Sequence, residues 1–149
     1  MNFQALDHVG ISVADLDRSI GFWERLLAAP PRDRRIREGP RLGTLVGYEG
    51  VRIDSCWFDF PGGVGLELLH YLGRPEAPYD PGTAHPGNAH VCLRVDDMEA
   101  AHAHAVACGG RAVSAPIEVP AGPEAGTRIA YVRTPDGVTI ELHQPPARA

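Results

Sequence analysis

The chain has 149 residues and a formal net charge of −5, with 44% hydrophobic and 22% charged residues. This length suits one ordinary domain, and the acidic balance offers no electrostatic basis for binding nucleic acid or an anionic membrane. Residues 1–7 contain no basic stretch followed by an apolar run, and no later segment approaches the roughly 18 apolar residues of a membrane span. We therefore expect a cytoplasmic protein with neither nucleic acid nor membrane as a partner.

The first predicted elements are a strand and a helix. Residues 6–13 alternate apolar with small or polar residues, as in a half-buried strand, and His8 shares a face with Gly10 and Ser12. Asp15 is placed to cap a helix whose apolar positions follow the helical period until Pro30-Pro31. After a charged stretch, residues 32–41, three more strands are predicted over residues 42–48, 52–60 and 64–71.

The second half of the chain repeats this order. Residues 72–88 contain four prolines and three glycines, which is typical of a linker. A strand is predicted over residues 90–95, followed by a helix that begins near Asp97 and stops at Gly109-Gly110. His102 and His104 fall on this helix, where we expect them to face solvent. The remaining strands are predicted near Ala112 and over residues 127–133 and 138–143.

The two halves also repeat each other in sequence. The segment PGGVGLEL at residues 61–68 reappears as PDGVTIEL at residues 135–142, and DHVGISV at residues 7–13 reappears as AHVCLRV at residues 89–95. The organisation predicted is therefore module one at 1–71, a linker at 72–88 and module two at 89–149, each module being β-α-β-β-β. Halves of roughly 70 residues would be marginal alone, so we expect them to share one core.

Each copy of the repeat opens with a histidine and closes with a glutamate: His8 and Glu67, then His90 and Glu141. Two imidazoles and two carboxylates at equivalent positions can converge on a divalent metal ion, such as Zn, Ni, Co, Mn or Fe. Each glutamate lies between two aliphatic residues that should face the core, so the carboxylate should face the other way. In the alternative interpretation, both histidines are core residues and the glutamates pair with Arg94, Arg128 or Arg133.

Several other side chains are weaker candidates for a functional role. His143 shares a face with Glu141 and is a candidate acid or base, whereas alternation turns His70 away from Glu67. Trp57, Tyr131 and Arg94 are candidates for lining a pocket. Cys56, Cys92 and Cys108 are widely spaced and form no Cys-x-x-Cys pair, so we expect buried, reduced thiols rather than a disulfide scaffold or thiolate zinc site.

The repeated unit resembles the vicinal oxygen chelate superfamily, which includes glyoxalase I, methylmalonyl-CoA epimerase, extradiol dioxygenases and bleomycin-binding proteins. The resemblance spans essentially the whole chain and is carried by residues 6–16, 90–97 and 134–142. It implies an α+β fold in which two tandem βαβββ modules form an incomplete barrel-like sheet around a shared metal site. Glyoxalase I and methylmalonyl-CoA epimerase are the branches it resembles most.

The resemblance implies a metal-dependent lyase or isomerase that acts on a small oxygenated substrate by proton transfer through a metal-stabilised enolate. His8, Glu67, His90 and Glu141 would be the ligands, with Glu67 and Glu141 also the candidate catalytic bases. Ser12 stands where glyoxalase I generally carries an arginine for glutathione, which disfavours a glutathione substrate. Many relatives pair two chains, and we expect a homodimer here.

Two alternatives belong to other functional classes. An iron-dependent extradiol-type dioxygenase uses two histidines and one glutamate, and Glu67 as a fourth ligand would crowd the face that it leaves open for catechol and O2. A non-catalytic binding protein of the bleomycin-resistance kind would enclose a drug without metal. A pure binding cavity has no reason to cover two carboxylates, which disfavours this third function.

Overall fold

The computed structural model describes residues 4–74 and 80–147. The chain divides into two compact units, residues 1–77 and 78–149, and each contains one mixed β-sheet. The α+β fold class is therefore confirmed, with parallel and antiparallel pairing in both sheets. No helix in the described part of the chain is long and apolar enough to cross a membrane.

The first unit has a four-stranded sheet of order β1-β4-β3-β2, with β1 parallel to β4 and the other pairs antiparallel. Its elements in chain order are β1 His8–Ser12, α1 Leu16–Leu27, β2 Arg32–Glu38, α2 Pro40–Val46, β3 Arg52–Asp59 and β4 Gly65–Tyr71. The predicted helix cap is confirmed, because the Asp15 carboxylate accepts the Arg18 backbone N–H at 3.0 Å. Phe22 and Trp23 of α1 are fully buried against the sheet side of this unit.

The prediction of a strand at residues 42–48 is wrong. This segment lies mostly in α2, which has Pro40 in its first turn and ends at Gly47 in the left-handed conformation, two local signals of a helix. The missing strand is β2, inside the charged stretch before α2. In the described part of the chain β2 is an edge strand that pairs with β3 alone, a place where charged side chains can stay in water.

The second unit has β5 parallel to β9 in a sheet of order β5-β9-β8-β6, and β7 also pairs with β8. Its elements are β5 His90–Arg94, α3 Met98–Ala107, β6 Arg111–Ala112, β7 Ile117–Glu118, β8 Arg128–Arg133 and β9 Thr139–Gln144. The two-residue strand β7 was not predicted. Asp97 caps α3 as expected, since its carboxylate accepts the Ala100 N–H at 2.9 Å.

The same turn precedes the last strand of each unit. In the first unit the Gly63 N–H donates to the Phe60 carbonyl at 3.0 Å, and in the second the Gly137 N–H donates to the Thr134 carbonyl at 2.9 Å. Both glycines have positive φ angles, 90° and 87°, which other residues rarely adopt. The repeated turn therefore starts β4 and β9 in the same way and brings their glutamates to equivalent places.

Candidate functional site

The first histidine–glutamate pair lies on neighbouring parallel strands. β1 and β4 pair with His8 opposite Gly65 and Gly10 opposite Glu67. His8 Nε2 is 4.0 Å from Glu67 Oε2, and the exposed fractions of the two side chains are 39% and 15%. The imidazole is therefore open to solvent, whereas the carboxylate is largely covered.

Two neighbours hold the His8 ring. Its Nδ1 lies 2.7 Å from Asp7 Oδ1, and because an ionised carboxylate can only accept, Nδ1 carries the proton and donates it. In the neutral ring, the lone pair is then on Nε2, the nitrogen nearer Glu67. Trp57 meets the ring edge-on at 4.8 Å between centroids. A Cβ at Gly65 would lie 3.1 Å from both His8 and Trp57, a tight contact that glycine avoids.

The second pair is closer. β5 and β9 pair with His90 opposite Thr139 and Cys92 opposite Glu141, and His90 Nε2 lies 2.7 Å from Glu141 Oε2. The exposed fractions of the two side chains are 44% and 14%. Tyr131 lies opposite Glu141 on β8, with its ring 5.7 Å from that of His90. Burial, then the charges of Glu141 and Cys92, raise the pKa of Tyr131, so its hydroxyl stays protonated.

The two pairs occupy equivalent positions in their sheets. An aromatic residue lies directly opposite each glutamate on the adjacent antiparallel strand: Trp57 for Glu67 and Tyr131 for Glu141. The aliphatic residues that flank the glutamates are all buried: Leu66, Leu68, Ile140 and Leu142. The predicted orientation is therefore confirmed, with both carboxylates on the face away from the core.

The alternative interpretation of the four residues is wrong. His8 and His90 are too exposed for core histidines. Arg128 forms its ion pair with Glu99 of α3 instead of Glu141. Within residues 4–74 and 80–147, neither Glu67 nor Glu141 forms an ion pair with an arginine. The polar partner of each glutamate is the histidine that the repeat places beside it.

Neither unit by itself brings three or more His, Cys, Asp or Glu side chains together to hold a metal, as far as its described residues show. Each unit contributes one imidazole and one carboxylate. The convergence of all four on one ion therefore stays a prediction.

The other histidines behave in different ways. His143 lies on the Glu141 face as expected, and its Nε2 is 3.9 Å from Glu124 Oε2. His70 is opposite Asp54 on the other face of its sheet, as alternation predicts. The expectation of a solvent-facing His102 is wrong. It is half-buried, and its Nε2 is buried without a hydrogen-bond partner in the described structure.

Cys92 corrects another expectation, because it is exposed whereas Cys56 and Cys108 are buried. The first strand of the second unit has its outer face, which carries His90, Cys92 and Arg94, open to solvent. Cys92 is directly opposite Glu141 and so belongs to the candidate site. Although the residue is exposed, its sulfur is partly desolvated; this desolvation, then the Glu141 charge, raises the pKa of the Cys92 thiol and makes it less reactive than an ordinary thiol.

With a disulfide-exchange dye at neutral pH, we expect one thiol of the folded protein to react, and that thiol is Cys92. Its raised pKa predicts a rate below that of a free thiol, rising with pH. Burial raises the pKa of Cys56 to about 11, which protects it further. Counting reactive thiols before and after denaturation, in wild type and Cys92→Ser, measures this. A Cys92→Ser protein that still reacts at the wild-type rate would contradict the assignment.

Sequence reasoning did not place two arginines on the site faces: it did not single out Arg32, and it considered Arg133 only as an ion-pair partner of the glutamates. Arg32 lies opposite Trp57, with its guanidinium 5.5 Å from the ring centroid, and pairs with Asp59 at 2.8 Å. Arg133 lies opposite Thr139 on the face that carries His90. The sequence held no signal for these two positions. Each arginine is placed on a site face by the residue opposite it, and that register is known only once the strands are paired.

Comparison with known protein families gives a match that spans most of the chain. Residues 7–131 match the profile of the Glyoxalase/Bleomycin resistance protein/Dioxygenase superfamily. The chain belongs to this superfamily. A match of this extent covers both first strands and Glu67, so the resemblance deduced from the motifs is confirmed.

The relatives of this glyoxalase-superfamily chain include lyases and epimerases. A probable lactoylglutathione lyase of Vibrio parahaemolyticus is 34% identical over 139 residues, which cover 92% of this chain and 88% of the relative. Human mitochondrial methylmalonyl-CoA epimerase is 28% identical, with coverage of 96% and 75%. A glyoxalase family protein from Bacillus cereus has the same fold, with a TM-score of 0.82, 23% identity and coverage of 99% and 97%. These relatives support an enzyme of the lyase or isomerase type.

Proposed function

We propose that the protein is a metal-dependent lyase or isomerase that moves a proton on the carbon beside a carbonyl of a small oxygenated substrate. The observation that carries the proposal is the equivalent placement of one imidazole Nε2 beside one largely covered carboxylate in each unit. The His–Glu pair of each unit would contribute two ligands to one divalent ion. The expected homodimer remains a prediction.

The donor set fits such an ion. A carboxylate that is about six-sevenths covered loses solvation, and among the described residues its ion-pair partner in each unit is the imidazole. Asp7 already fixes the His8 proton on Nδ1, which leaves Nε2 as a ligand. The proton shared at 2.7 Å between His90 and Glu141 must leave before both can serve as ligands. When bound, the ion would act as a Lewis acid for two neighbouring substrate oxygens.

Glu67 and Glu141 are the proposed proton carriers. Both carboxylates lie on the face of their sheets away from the core, each opposite an aromatic residue of the adjacent strand. With two carboxylates at equivalent positions, one can remove a proton and the other can return one, the two proton transfers of an isomerisation. The protonated Tyr131 hydroxyl can donate a hydrogen bond near Glu141.

The test is elemental analysis of untagged protein purified without chelators, comparing wild type with the Glu67→Ala, Glu141→Ala double variant. We expect near-stoichiometric Ni, Co, Zn or Mn in the wild type and its loss in the variant. Iron would favour the extradiol-type dioxygenase, to be tested by O2 uptake with catechols. Wild type that takes up no metal even after reloading would overturn both enzyme proposals and leave the drug-binding function.

A further inference from the structure

Two arginines of the second sheet lie in line with His90 and have no part in the proton transfer. β6 and β8 pair with Arg111 directly opposite Arg133. Arg133 is also opposite Thr139, which is opposite His90. Directly opposed residues point to the same face of a sheet. One row across four adjacent strands therefore carries the imidazole, the hydroxyl and both guanidinium groups.

One hydrogen-bond donor of the Arg133 side chain has no acceptor among the described residues. Its Nε is buried and has no hydrogen-bond partner in the described part of the chain. A buried, charged donor without an acceptor destabilises the fold. Two like charges directly opposite each other on neighbouring strands, as Arg111 and Arg133 are, add to the cost. An anion between or beside the two arginines would remove both penalties.

The carboxylate of Asp80 does not fill this role. It is close enough to Arg133 for their charges to interact, but its side chain is 68% exposed. Asp80 Oδ1 accepts the Gly82 N–H at 2.8 Å, and Oδ2 lies 2.9 Å from His85 Nε2. Asp80 is therefore engaged elsewhere, and within residues 4–74 and 80–147 the buried Nε of Arg133 still lacks an acceptor.

We propose that Arg133, assisted by Arg111, binds an anionic oxygen group of the substrate. Arginine binds carboxylate and phosphate groups through paired N–H donors. Neighbouring strands are about 4.8 Å apart, so the backbone of Arg133 is roughly 10 Å from that of His90. The inference rests on the proposed function for the role of His90. It adds a substrate class: a small oxygenated carboxylic acid or phosphate ester whose anion lies several bonds from the reacting carbon.

The test is an NMR titration of the isotope-labelled full chain with acetate and, separately, inorganic phosphate, at constant ionic strength. The Arg133 Nε–H signal is identified by its loss in Arg133→Gln. We expect this signal to shift and saturate, and Arg133→Gln to weaken anion binding about tenfold. Arg111→Gln should weaken binding less. Tighter binding of acetate assigns a carboxylate, and tighter binding of phosphate assigns a phosphate.

Arg128→Gln is the matched control. Arg128 lies on the same strand as Arg133 but on its other face, where it pairs with Glu99. An Arg133 signal that neither anion moves, or equal weakening by Arg133→Gln and Arg128→Gln, would overturn the proposal. The titration is repeated on chelator-treated protein and on Glu141→Gln. Because binding at Arg133 needs no metal, a saturating shift there would stand even if the proposed metal chemistry fails.

Discussion

Replacing Glu141 by glutamine is expected to lower turnover by about 10²- to 10⁴-fold, the usual contribution of a positioned general acid or base. Glutamine keeps the shape of the side chain but carries no charge and accepts no proton at neutral pH. Glu67→Gln should act in the same direction, because Glu67 has the equivalent register in the first sheet. If each carboxylate carries out a different proton transfer, Glu67→Gln alone or Glu141→Gln alone should block isomerisation.

The measurement combines two readouts. Wild type is assayed for lactoylglutathione formation, methylmalonyl-CoA epimerisation and solvent deuterium exchange into small hydroxy and keto acids, and the variants are then compared on any substrate it turns over. Metal content is determined on the same samples. Glu118→Gln is the control, because it removes the same charge from an exposed position on β7 of the second unit. If both variants keep full metal binding and turnover, the acid/base assignment is wrong.

Truncating a core residue beside either glutamate is expected to cost about 2–5 kcal/mol of the free energy of unfolding. Leu66 and Ile140 are both 0% exposed, so alanine at either position removes buried methyl groups and leaves a cavity. Leu45→Ala is the control, because Leu45 is 81% exposed and should change stability by less than about 0.5 kcal/mol.

These two variants also test the expectation that the halves share one core. Both tryptophans, Trp23 and Trp57, belong to the first unit, so their fluorescence follows that unit, whereas circular dichroism follows the whole chain. If the halves unfold together, Ile140→Ala shifts the fluorescence and dichroism transitions by the same amount of urea. A fluorescence transition that Ile140→Ala leaves in place would show that the units unfold separately.

Local chemistry explains which elements could be predicted from sequence. Asp15 and Asp97 cap helices with their own carboxylates, and the two glycine turns need positive φ angles wherever they lie. Such features depend on a few neighbouring residues. The strand β2 could not be recognised in this way, because its run of arginines is also typical of a charged loop. It is a strand because β3 pairs with it, and its edge position leaves the arginine side chains in water.

Some features of the candidate site could also be predicted from local sequence, whereas others depend on the tertiary structure. The sequence by itself determined the repeat, its four ligand-type residues and the face on which each glutamate lies, because side-chain alternation in a strand is a local property. Only the tertiary structure decided that His8 and His90 lie beside those glutamates, since parallel strands far apart in sequence must pair to bring them together. The tertiary structure likewise decided that Cys92 is exposed and that Arg133 Nε is buried without an acceptor among the described residues, because burial depends on neighbours contributed by distant segments.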